Sequence, residues 1–104
     1  MNNPTDSVDE VVYFVLLPNG AAIPKDLYDE CRREIEDALR WLPPGVPCRI
    51  DQIVTPRFWL PKGNALRRDL GRCLAHWVKN GELPLEFVGD RRSTNKRYRR
   101  RTLT

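Results

Sequence analysis

The chain has no apolar run near the roughly 18 residues that a bilayer span needs. Its longest, Val11 to Leu17, is the size of a strand, so no membrane contact is expected. It holds a single histidine, His76, and three cysteines, Cys31, Cys48 and Cys73, widely separated and without paired spacing. A structural zinc site wants four N or S ligands, and an odd, scattered set makes no disulfide framework. The cysteines therefore read as buried thiols of a reducing compartment. There is no glycine-rich loop to cradle a phosphate. The carboxylates Glu34 and Asp37 fall on the solvent side of a helix, and His76 sits on another helix face beside Arg72 and Lys79. No set of groups converges for acid–base or nucleophilic chemistry, so neither catalysis nor a cofactor is expected. Residues 1–8 are polar and read as a flexible segment. Met1 to Asp6 lacks the basic start and apolar stretch of a secretory signal, and a cytoplasmic location follows as the expectation.

Charge is present but unevenly placed. The 104 residues carry a net charge of +4. Residues 1–48 hold four Lys and Arg against nine Asp and Glu, and residues 49–104 hold fourteen against five. One strongly basic half suits a face that meets a polyanion, nucleic acid above all.

Residues 9–104 read as one α+β domain. Val11 to Leu17 is dense in strand formers and stops at the turn signal Pro18-Asn19-Gly20. Its unbroken apolar character predicts burial on both faces, or one buried face and a partner subunit on the other. Pro24 at a first turn, acids early, and Leu27, Tyr28, Cys31, Ile35, Ala38, Leu39 and Leu42 on one side predict a helix over 25–42, stopped by Pro43-Pro44-Gly45. Glu36 and Arg40 are spaced as an i,i+4 pair on its outside. Cys48 to Ile50 reads as a brief strand. Within 51–60 a short helix begins at Asp51, or at a turn that Thr55-Pro56 caps; Phe58 and Trp59 read as packing aromatics.

The segment from Asn64 to Gly89 organises the basic half. Leu66, Leu70, Cys73, Leu74, Trp77 and Val78 draw one apolar stripe along a helix over 64–80. Arg68, Arg72, His76 and Lys79 form a cationic row on the opposite side. Asn64 is placed to cap the first turn, with a base contact as the alternative, and Asn80-Gly81 to close the last. Gly71 lies mid-helix, where it costs about 1 kcal/mol relative to Ala, and is read as room for a neighbouring helix, with close approach of a DNA backbone as the alternative. The period then changes to two at Leu83, Leu85 and Phe87. That strand, 82–88, is followed by the basic loop 90–96 and a second strand, 96–102, anchored by Tyr98. Pro84 restricts the first of these strands to a sheet edge. Glu82 and Glu86 are expected to pair with arginines across the hairpin.

This order of helix, short strand, short helix, cationic helix and basic hairpin resembles a winged helix-turn-helix domain over residues 25–102. The resemblance implies three helices and a small antiparallel sheet forming a wing; strand 11–17 lies outside that pattern, as an extension that lengthens the sheet or makes a homodimer. It also implies a small double-stranded-DNA-binding regulator, of a style frequent in phages and plasmids. Helix 64–80 would enter the major groove, with Arg67 and Arg68 at base edges and Arg72, His76 and Lys79 along the row. Arg91, Arg92, Lys96, Arg97 and Arg99 would make phosphate or minor-groove contacts from the wing. Two alternatives stay open: a winged-helix module that docks on an acidic protein, for example an inhibitor of a host complex, and an RNA binder that stacks bases on Phe58, Trp59 or Tyr98.

Overall fold

A computed structural model describes residues 13–89 and 95–101. The expected flexible residues 1–8, the start of the strand at 11–12, and the wing loop with Arg91 and Arg92 lie outside the described residues. Within them the chain is an α+β fold with four helices and two two-stranded antiparallel sheets.

Strand β1 (Phe14–Leu16) does not lengthen the second sheet. It pairs with β2 (Ala22–Pro24) in a hairpin of its own, with Val15 opposite Ile23. Asn19 accepts from the Ala21 amide through its side chain. Gly20, at φ 92°, supplies the left-handed residue that ends a three-residue hairpin loop. Lys25 N–H donates to Tyr13 O and Leu17 N–H to Ala21 O. The hydrogen-bonded pairs therefore alternate so that Phe14 and Pro24 fall at a non-bonded pair. Pro24 forfeits no ladder bond there, which is why a residue that suits a helix start also completes a strand. Of the two burials expected for this strand, the one on both faces is corrected. Phe14 is 60% and Leu16 73% exposed, and only Leu17 enters the core.

Helix α1 (Lys25–Ala38) stops four residues before the expected end. Arg40 N–H bonds Asp37 O and Trp41 N–H bonds Ala38 O, an i→i−3 tightening, since Pro43 disfavours helical backbone at Leu42. Glu36 is consequently paired backward to Arg32 at 3.2 Å rather than forward to Arg40. The short helix expected within 51–60 is two: α2 (Ile50–Ile53) and α3 (Pro56–Trp59). Thr55 Oγ1 caps α3 by accepting from Phe58 N–H. Glu34, which reads as a solvent acid, accepts from both N–H and Oγ1–H of Thr55 at 2.9 Å and ties α1 to α3. Helix α4 (Asn64–Lys79) begins on Gly63, not on an Asn64 cap, because Asn64 already has helical backbone and makes no capping bond. At the other end Asn80 is the C-cap, and Gly81 is left-handed as expected.

The second sheet pairs β3 (Leu85–Val88) with β4 (Arg97–Arg100), Phe87 opposite Tyr98. The strand expected over 82–88 is shortened because Pro84, whose carbonyl accepts from Arg101 N–H, has no N–H to return, and the one expected over 48–50 is a single bridge in which Cys48 exchanges both backbone bonds with Tyr98. Ile50 is already in α2. The core joins Leu17 and Ile23 of the hairpin to Cys31, Ile35, Phe58, Leu70, Cys73, Leu74, Trp77, Leu85 and Tyr98. At its centre Trp77 Nε1 donates to Tyr28 Oη at 2.7 Å, the two rings edge-on at 5.0 Å. Cys31 and Cys73 are buried as expected, whereas Cys48 is only half-buried at the bridge.

Candidate nucleic-acid interface

Burial of Leu70, Cys73, Leu74, Trp77 and Val78 fixes the rotation of α4 and turns its opposite flank outward. Arg68, Arg72 and Lys79 are exposed on that flank and His76 is half-buried. Among the described residues Arg68 and Lys79 have no ion-pair partner. His76 Nε2 lies 3.1 Å from Asn80 Nδ2.

Two grooves border this flank. The first, about 490 Å³, has Ile50, Trp59, Ala75 and Tyr98 as apolar surface. Arg49, Arg67, Arg68, Arg72 and Lys96 supply its cations. The second, about 560 Å³, has Leu17 and Phe87 below and Arg72, His76, Lys79 and Lys96 around it. Arg72, Ala75 and Lys96 border both, so α4 and the residue before β4 present one cationic surface with a groove to each side.

Arg67 differs from its neighbours. Its Nη2 donates to Leu60 O at 3.0 Å, its Nε to Trp59 O, and its guanidinium lies 5.5 Å over the Trp59 ring. It holds the end of α3 against α4. Arg97 and Arg99 are exposed on β4, with Arg99 bonded to Glu86 directly across the hairpin. That pairing is the one expected for Glu86. Glu82 instead binds Arg32 of α1 at 2.9 Å, and this hydrogen bond holds its carboxyl below the usual range. Asp69 pairs with Arg72 at 3.2 Å. Arg100, absent from the expected set, donates to Leu39 O at 2.7 Å and closes the end of α1.

Arg49 is a site residue not apparent from sequence, while Asn64 and Gly71 depart from the capping and packing roles expected first. Arg49 enters the first groove because the Cys48–Tyr98 bridge carries it there, and Asp51 holds its Nε at 3.0 Å. Asn64, relieved of capping, lines the same groove. Gly71 does not make room for a helix: a Cβ there would meet no atom within 4 Å, and the residue borders the groove.

Of the aromatics that base stacking would use, two are buried and one borders the first groove. Phe58 is 5% and Tyr98 2% exposed, and Trp59 lies under Arg67. Among the described residues no three His, Cys, Asp or Glu side chains are grouped to hold a metal ion. No described helix is long and apolar enough to cross a membrane. The chain matches no family model, no curated protein and no solved structure.

Proposed function

We propose that this chain is a winged-helix DNA-binding protein of the cytoplasm, with α4 in the major groove and the β3–β4 hairpin as its wing. The observation that carries the reading is Arg68, Arg72 and Lys79 in one exposed row with Lys96 beside it. The nearby acids Asp69 and Glu86 are each bound to an arginine. An α-helix fits the major groove, and such a row reaches phosphates and the O6/N7 edge of guanine. Asn64 is available to an adenine edge at the same end of the helix. The interior glycine supports the same reading, since Gly71 serves no packing among the described residues and borders the surface where a nucleic-acid backbone would approach. Arg67 passes from base reader to positioning residue, because its guanidinium is spent on α3. Arg97 and Arg99, with Arg91 and Arg92, remain the wing contacts of the proposal.

Binding to an acidic protein is a second reading. It is favoured by the apolar surface of the first groove, where Ile50 and Trp59 would suit the side chains of a peptide. Fluorescence anisotropy with a random-sequence duplex separates the two. DNA binding whose log K falls with log salt at about −0.9 per phosphate contact supports the first reading. No duplex binding at low salt removes it.

A further inference from the structure

The β1–β2 hairpin is apolar on both faces. Val15, Leu17 and Ile23 share the face turned to the core, while Phe14, Leu16, Ala22 and Pro24 share the other. In the ladder, Tyr13 and Leu17 bond toward β2, so the N–H and C=O groups of Phe14 and Leu16 point away from it. β1 pairs with no other strand in the described residues. Open edges are usually protected by charge or proline. The outer edge of β2 has Pro24, but from Tyr13 to Leu17 there is neither.

We infer that β1 pairs antiparallel with β1 of a second copy, about a two-fold axis at Val15. That register is self-complementary, as a two-fold interface must be. Phe14 meets the partner's Leu16, Leu16 meets the partner's Phe14, and each pair exchanges both outward backbone bonds. The two hairpins become one four-stranded sheet. Tyr13, Phe14 and Leu16 are 67%, 60% and 73% exposed. Edge pairing sets the exposed Phe14 and Leu16 of one copy against Leu16 and Phe14 of the other and takes part of that apolar surface from water. Dimerisation does not depend on the proposed DNA binding. Only its consequence does, namely two α4 helices related by the axis and reading an inverted repeat.

Light scattering on the full chain without DNA tests the pairing. The wild type is expected at twice the chain mass at micromolar concentration, and Phe14→Lys/Leu16→Lys, altered only at exposed positions, at half of that with unchanged circular dichroism. Should the double variant not fold, cysteine cross-linking decides. In a Cys48→Ser background, Val15→Cys lies opposite its own copy at a non-bonded pair, within disulfide reach, and forms a covalent dimer on oxidation. Tyr13→Cys, four residues from its copy along the register, does not. A monomeric wild type, a dimer that survives the lysine pair, or equal cross-linking at 13 and 15 overturns the inference. A dimer without DNA affinity leaves it standing and removes the DNA reading; a monomer that binds DNA does the reverse.

Discussion

Cys48 and Tyr98 exchange both backbone hydrogen bonds, at 2.7 and 2.8 Å, and so fasten β4 to the segment that begins α2. That bridge places Arg49 and Lys96 across the groove from the cationic row of α4. Tyr98 also packs its ring on Phe87 at 5.2 Å and is almost wholly buried. Tyr98→Ala is expected to lower stability by about 3 kcal/mol, the range for deleting a buried aromatic. Urea denaturation measures it, and a loss under 1 kcal/mol would mean that the ring does not anchor the sheet.

Arg67 and Arg68 are adjacent in sequence and opposite in role. Removing Arg67 strips hydrogen bonds from the Trp59 and Leu60 carbonyls, so Arg67→Ala should cost about 1–2 kcal/mol of stability. Arg68→Ala should leave the melting temperature unchanged and make the salt slope of DNA binding shallower by about 0.9. Melting curves and anisotropy on both variants check the contrast, which fails if the two behave alike.

Gly71→Ala should stabilise the chain by about 1 kcal/mol, because the added methyl enters open space and improves helix propensity. The same methyl stands on the proposed DNA face and should weaken duplex binding. A stabilised variant with undiminished affinity would show that the DNA backbone does not approach here.

Burial pushes the Cys31 and Cys73 thiols up to about 12 from an ordinary 9.0. The folded chain thus holds these protons more tightly than the unfolded one. The stability they confer is complete below about pH 9 and declines as pH rises toward 12. Denaturant midpoints measured between pH 8 and 11, both chosen to bracket the lower limit at roughly pH 9, should fall at the alkaline end. Titration with a thiol reagent at neutral pH should find Cys48 reactive and the buried pair protected until unfolding. Three equal rates would contradict this placement.

Periodic signals carried furthest from sequence to structure. The stripe from Leu70 to Val78 gives the rotation of α4 directly, and the alternation of Leu83, Leu85 and Phe87 gives the face of β3. What sequence could not show was who satisfies whom. Glu34 and Arg100 look like surface charges, yet they bind Thr55 and the Leu39 carbonyl, 21 and 61 residues away. The strand Ala22–Pro24 was hidden because proline signals a helix start, and its fit in a ladder depends on register. Asn64 and Gly63 compete for one cap, and a shift of one residue decides whether the asparagine closes the helix or faces the groove.

The most direct test of the central claim is the affinity of the wild-type chain for duplex DNA as a function of salt, compared with Arg68→Ala/Lys79→Ala. Both positions are exposed and unpaired among the described residues, so the fold should be unaffected. The account predicts a slope of several units for the wild type and one shallower by about 1.8 for the double variant, at about 0.9 per contact. No duplex binding at low salt, or an identical slope in the variant, would contradict it.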